Sequence, residues 1–285
     1  MNLCSPNTIK QLMEENEIVF RKDYGQNFLI NPMIPEDIAD GCADTEERMI
    51  LDVGPGIGCL TKELAERYRK VVAVEIDKGL IPVLEKTLST YDNVTVINGD
   101  IMETDIRALV DTYAGGFPVS VAANLPYYIT TPILMRLLTC GVPFDSVTVM
   151  VQNEVADRLV CEAGSKNYGA ITAVLGYYGV ARRLLRVSAG NFMPAPKVDS
   201  AVIRIDLYKE KPYRPVSEKF FFALIRAAFE MRRKTLANAV SAKFPDIGKE
   251  TIAEAIVKAG FPQDVRGERL STGDFVRLSD MLCQN

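Results

Sequence analysis

The chain has 285 residues, 48% of them hydrophobic and 25% charged, enough for one large domain or a medium one with a small partner. It has no histidine, which excludes Ser-His and Cys-His nucleophile pairs and His-ligated metals, and its six scattered cysteines form no C-x-x-C pair for a zinc site or disulfide framework. The net charge of −4 argues weakly against a polyanion partner, but from Asp206 onward 14 Lys and Arg stand against 11 Asp and Glu, so local basic patches decide the matter.

No apolar run approaches the roughly 20 residues that cross a bilayer. Residues Met1 to Glu17 are polar and lack a signal peptide's apolar core. A soluble, cytoplasmic protein with reduced thiols is expected. Residues 1–24 read as a loose arm with one short helix. Tyr24 to Pro32 mixes Gly and amides with Phe28 and Leu29, so it is expected to pack against something, as a lid over the core edge.

Met49–Val53 is a short apolar run, read as a parallel strand, and it leads directly into Gly54-Pro55-Gly56-Ile57-Gly58. Helical spacing follows from Leu60 to Arg69. Strand, glycine-rich turn and helix together make a nucleotide-binding unit. The next strand, Val71–Val74, ends in Glu75, which lies 21 residues after Gly54. In dinucleotide folds an acid about 20 residues on accepts hydrogen bonds from ribose hydroxyls. Here the third glycine is Gly58 and position 59 is Cys, giving G-x-G-x-G. That pattern favours S-adenosylmethionine (SAM), which has a ribose and no pyrophosphate, over NAD; a glycine turn without a ligand is the plain alternative.

A helix is predicted over Leu80 to Thr90. The strand Val94–Ile97 then ends in Asn98-Gly99-Asp100-Ile101, where Asp100 either accepts from the adenine amine of a cofactor or simply forms the turn. A fourth strand, Val119–Ala123, delivers Asn124-Leu125-Pro126-Tyr127-Tyr128-Ile129-Thr130-Thr131-Pro132, which is poor core material at the end of a buried strand. Open α/β sheets place their chemistry at such ends. The side-chain oxygen of Asn124 and the backbone oxygen of Leu125 suit the task of accepting hydrogens from the amino group of a base. That aims the nitrogen lone pair at a methyl carbon and stabilises developing positive charge. Pro126 stiffens the loop and Tyr127 stacks on the base. No strong base is needed, which suits a chain without histidine. A paired base cannot enter such a pocket, so the target is unpaired or flipped.

A helix is predicted from Ile133 to Leu138 with Thr131 or Thr130 as N-cap, then a strand at Ser146–Val151 and helices over Glu154–Glu162 and from Asn167 to about Tyr178. Ala181–Val187 and Val198–Ile205 read as an antiparallel pair closing the sheet. Between them Phe192-Met193-Pro194-Ala195-Pro196-Lys197 forms a stiff loop. Phe192 is either the second wall for the base or a core aromatic. Lys209 to Pro215 is a charged linker with two prolines. Beyond it helices are predicted over Ser217–Phe229, Thr251–Ala259 and Ser271–Leu282, with Met231–Leu236 opening or joining another. The last starts with a capping box, Ser271 to Asp274. The fold class is therefore α/β: a Rossmann-like domain over 1–207 with a mostly parallel sheet, a linker at 208–216, and a small all-helical domain over 217–285.

Asn-Leu-Pro-Tyr at 124–127 resembles the signature of adenine-N6 and related amino methyltransferases. With Gly25–Leu29, Leu51–Gly58, Asn124–Pro132, Phe192–Ala201 and Arg232–Leu236, nearly the whole chain resembles the ribosomal RNA adenine dimethyltransferase family. Within it the chain looks like the bacterial type that dimethylates two adjacent adenosines near the 3′ end of 16S rRNA. The resemblance implies SAM as cofactor, with contacts at Gln26, Asn27, Leu29, Gly54, Gly56, Glu75, Ile76, Asp100, Ile101 and Asn124. It implies a target site at Asn124, Leu125, Pro126, Tyr127 and Phe192, and no metal. The expected partner is 16S rRNA within a 30S assembly particle, met by a monomer. Arg182, Arg183, Arg186, Arg232, Arg233 and Lys234 are the RNA-contact candidates, each with a solvated face as its alternative. Rival readings are a 23S rRNA methyltransferase of the antibiotic-resistance type and a non-catalytic RNA-binding assembly factor on the same fold.

Overall fold

The structure, a computed structural model, describes residues 1–18 and 26–283. Tyr24 and Gly25, named above, lie outside the described residues. The chain divides into two compact units: Met1–Ala156 with Ala181–Leu207, and Asp157–Val180 with Tyr208–Asn285. The sequence places residues 157–180 with the sheet, whereas their contacts group them with the C-terminal helices.

Nine strands are present among the described residues: β1 (Phe28–Leu29), β2 (Met49–Val53), β3 (Lys70–Glu75), β4 (Val94–Asn98), β5 (Val119–Asn124), β6 (Ser146–Gln152), β7 (Gly179–Val187), β8 (Phe192–Met193) and β9 (Ser200–Leu207). Seven form one sheet in the order β4-β3-β2-β5-β6-β9-β7. Its first five strands are parallel, and β9 runs antiparallel to β6. The apolar runs of β2, β5 and β6 are continuous rather than alternating because helices cover both faces of a parallel sheet. The chain builds outward from β2 through β3 to β4, then returns to the other side of β2 with β5 and β6. The reversal between β2 and β5 creates a crevice at the strands' C-terminal ends, where Val53 and Ala123 stand in register.

Two helices, Met33–Cys42 and Ile106–Tyr113, are additional to those predicted from the sequence. The helix predicted from Ile133 starts earlier, at Thr130, and neither threonine caps it. The Thr130 hydroxyl instead donates back to the Pro126 carbonyl at 3.0 Å, tying the preceding loop to the helix. β1 and β8 form a separate two-stranded antiparallel ribbon, with Leu29 opposite Phe192 and Phe28 opposite Met193. Both Phe28 and Leu29 are buried in the core together with Phe192.

In the second unit, helices Ala170–Tyr178, Glu218–Glu230, Leu236–Lys243, Lys249–Lys258 and Thr272–Cys283 enclose Tyr177, Phe221, Leu236, Ile252 and Phe275. Their ends follow the expected caps. Ser217 accepts from the Phe220 amide, and Ser271 and Asp274 exchange bonds across the first turn of the last helix. Residues Met231–Lys234 form the turn between two helices rather than opening one, and Thr235 caps the second by accepting from the Asn238 amide.

Candidate active site

The site is a cleft at the C-terminal ends of β2, β3 and β5. At its floor β2 gives way to the glycine turn. Gly54 has φ of 72° and Gly56 φ of 63°, conformations that favour glycine. A Cβ on Gly56 would come within 3.2 Å of the Phe28 ring, whereas one on Gly54 would meet nothing within 4 Å. The backbone at Gly54 thus faces open space that a ligand is able to approach closely.

Glu75 ends β3 and is only 4% exposed. Its Oε2 accepts from the Gly56 amide at 3.0 Å and its Oε1 from the Asp77 amide at 2.9 Å. Burial pushes its carboxyl above the usual carboxylate range, and the two backbone donors oppose that shift. Each oxygen keeps a further lone pair, so the carboxylate is preorganised to accept from two neighbouring hydroxyls. Gln26 and Asn27 span the cleft from one side to the other. The Gln26 amide donates to Asp77 Oδ2 at 3.0 Å, and the Asn27 carbonyl accepts from Asn124 Nδ2 at 3.4 Å.

On the β5 side the loop after Asn124 is fixed at several points. The Leu125 amide donates to the Met150 carbonyl at 3.2 Å, and the Pro126 carbonyl accepts from Thr130. The Tyr127 hydroxyl lies 2.6 Å from that of Ser200. Two acceptors are left over. Neither Asn124 Oδ1 nor the Leu125 carbonyl oxygen receives a hydrogen bond from any of the described residues. Two unspent carbonyl oxygens on consecutive residues suit a ligand amino group with two hydrogens to donate.

The cleft brings together most of the residues singled out in the sequence. Gln26, Asn27, Leu29, Gly54, Gly56, Glu75 and Ile76 line one part, and Asn124, Leu125, Pro126 and Tyr127 the other. Three are not brought to its wall. Asp100 and Ile101 follow the end of β4, next to β3, and Asp100 Oδ1 accepts from the Met102 amide as a turn residue does. Phe192 is 3% exposed and stands opposite Leu29 in the ribbon, buried with it in the core. Tyr128, not among the site residues expected above, is 61% exposed and lines the cleft. Both tyrosines after Pro126 thus line the cleft, and the Tyr-Tyr pair is the sequence signal for it.

The basic candidates differ among themselves. Arg182 pairs with Asp206 at 3.3 Å, Arg183 is half-buried, and Arg186 is exposed. Arg232 is committed within its own unit, donating to the Tyr168 carbonyl at 3.0 Å and the Lys166 carbonyl at 3.3 Å, and pairing with Glu268 at 3.4 Å. Arg233 and Lys234 are exposed and make no ion pair with the described residues. No group of three or more Cys, Asp or Glu among the described residues is arranged to hold a metal, and no described helix is long and apolar enough to cross a membrane.

Residues 18–284 match the family Ribosomal RNA adenine dimethylase. The Ribosomal RNA small subunit methyltransferase A of Lachnoclostridium phytofermentans is 47% identical over 283 residues, covering 98% of this chain and 97% of that protein. The protein of the same name from Alkaliphilus metalliredigens is 43% identical over 277 residues, covering 97% and 96%. A dimethyladenosine transferase from Plasmodium falciparum shares the fold with a TM-score of 0.74, at 24% identity over 88% of this chain and 95% of that one. The 23S rRNA methyltransferase ErmE does so at 0.70, also 24% identical, over 90% and 100%.

Sheet order, glycine turn and terminal acid define a Rossmann-like methyltransferase that takes its methyl group from SAM. The open backbone at Gly54 and the buried, doubly held Glu75 fit that cofactor's ribose. The chain belongs to the ribosomal RNA adenine dimethylase family, and its substrate is ribosomal RNA.

Proposed function

We propose that the protein dimethylates N6 of two adjacent adenosines in the 3′-terminal hairpin loop of 16S rRNA, acting in the cytoplasm as a monomer on a small-subunit assembly particle. The relatives' shared name, at 47% and 43% identity over almost the full chain, supports the choice of subunit. The observation that carries the chemistry is the pair of unspent acceptors, Asn124 Oδ1 and the Leu125 carbonyl.

When bound, SAM supplies an electrophilic methyl group on a sulfonium. Asn27, Leu29, Gly54, Gly56, Glu75 and Ile76 would hold it, with Asp100 and Ile101 serving the adenine end from the neighbouring strand terminus. Gln26 secures this cover through Asp77.

Asn124 and Leu125 accept the two hydrogens of the adenine amine. This draws the nitrogen out of conjugation with the ring and stabilises the positive charge it gains. Pro126, with its carbonyl tied to Thr130, keeps the two acceptors from drifting apart. Tyr127 stacks on the extruded base, an interaction worth ~1–3 kcal/mol. The nitrogen becomes acidic only as the methyl arrives, so its proton leaves to solvent without a resident base. Phe192, opposite Leu29 in the ribbon, holds the cofactor cover in place.

Arg233 and Lys234 supply phosphate contacts in the helical unit, with Arg182, Arg183 and Arg186 contributing from β7. Mass-spectrometric mapping of methylated adenosines tests the whole reading, using purified protein, SAM and both ribosomal subunits, small and large, from an unmodified strain. Dimethylation of two adjacent adenosines near the 16S 3′ end is expected. Label only in 23S rRNA, or none at all, would overturn it.

A further inference from the structure

The stretch Phe192–Ala201 stands out in the sequence, yet its first residue is buried away from the cleft. The other end of the stretch reaches the reaction. Ser200 opens β9, stands opposite Gln152 in the antiparallel register with β6, and is fully buried. Its hydroxyl lies 2.6 Å from the Tyr127 hydroxyl, a bond that joins positions 73 residues apart. The other ties on the catalytic loop hold the Leu125 amide, the Pro126 carbonyl and the Asn124 side-chain amide, which donates to the Asn27 carbonyl. None of them restrains the Tyr127 side chain. A tyrosine ring swings about two torsions, and a hydrogen bond at its far tip removes most of that freedom.

We infer that Ser200 is a positioning residue, holding the Tyr127 ring at the angle on which the extruded adenine stacks. The inference rests on the stacking role proposed for Tyr127. Because the bond acts on the base and not on the cofactor, Ser200 governs turnover and leaves SAM affinity unchanged. It also accounts for the serine at the far end of the stretch: β9 carries the hydroxyl to the loop after β5.

The test is a double-mutant cycle on small subunits from an unmodified strain, with SAM binding measured in parallel. Ser200→Ala and Tyr127→Phe each break the bond from one side, and each is expected to lower kcat roughly tenfold through misplacement of the base. The double variant is expected to be no slower than either single one, because both remove the same interaction. Wild-type turnover in Ser200→Ala, a double variant whose loss is the product of the single losses, or a loss confined to SAM affinity would each overturn the inference. If circular dichroism shows that Ser200→Ala does not fold, Tyr127→Phe decides alone, and unchanged turnover in it is overturning. Tyr127→Ala separates the two levels. Full activity in that variant removes the stacking role itself; a loss there with Ser200→Ala intact removes only the part given to Ser200.

Discussion

Gln26 and Asp77, 51 residues apart, are joined by a 3.0 Å hydrogen bond, and the Asp77 amide in turn donates to Glu75. The segment before β1 is thus tied to the acid at the end of β3. Gln26→Ala is expected to weaken SAM binding roughly threefold to tenfold, the worth of one hydrogen bond. Glu75→Ala removes a buried carboxylate acceptor and is expected to weaken it on the order of a hundredfold. Titration calorimetry with SAM measures both. An unchanged dissociation constant in Glu75→Ala would contradict the ribose assignment.

Asn124→Ala removes one of the two amine acceptors. A loss of kcat of roughly 10²–10³ is expected, the scale of deleting one preorganised partner at a developing charge. RNA affinity should change little, since phosphate contacts carry most of it. Single-turnover methylation together with filter binding separates the two effects. Near-normal turnover would end the acceptor role.

Asp52 lies in β2, fully buried, with Oδ2 accepting from Thr61 at 2.7 Å and Oδ1 without a partner among the described residues. Burial pushes its carboxyl up from 3.8 to about 7, with the nearby Glu75 charge adding to the rise. Between those values the folded chain holds a proton that the unfolded chain has released. Stability therefore falls as pH rises through that window, by at most about 1.4 kcal/mol per pH unit. Asp52→Asn removes this slope. Urea unfolding at pH 5 and pH 8 is expected to show the variant gaining on the wild type at the higher pH. Parallel profiles would refute it.

Arg232 and its two neighbours are expected to part ways. Arg232→Ala loses bonds to two backbone carbonyls and Glu268, and should lower the stability of the helical unit by about 1 kcal/mol. Arg233→Ala and Lys234→Ala should leave stability alone and each reduce the salt dependence of RNA binding by roughly 0.7–0.9 in log–log slope. Thermal unfolding and binding across a salt series distinguish them.

Much of this architecture is written in local pattern. The strands that end at Gly54, Glu75 and Asn124 are mostly apolar runs, and each stops at a glycine or a polar residue, so both sheet and cleft are readable along the chain. Met33–Cys42 is hidden by Pro35 in its first turn, where proline is tolerated, and by Gly41 near its end. Ile106–Tyr113 did carry a readable signal, since Asp105 caps it by accepting from the Ala108 amide. The pairing of β1 with β8 has no local trace: two residues meet two others more than 160 positions away. That pairing buries Phe192 beside Leu29. Arg232 shows the same limit, because a basic side chain looks alike in sequence whether it faces solvent or clasps a neighbouring turn.

The β1–β8 ribbon also sets a schedule. Phe28 and Leu29 are synthesised more than 160 residues ahead of their partners, Met193 and Phe192. A nascent chain still short of that point holds its glycine turn and Glu75 under an unfastened cover. The cleft reaches its finished form only after both the strand that carries Asn124 and the stretch that carries Ser200 have left the ribosome.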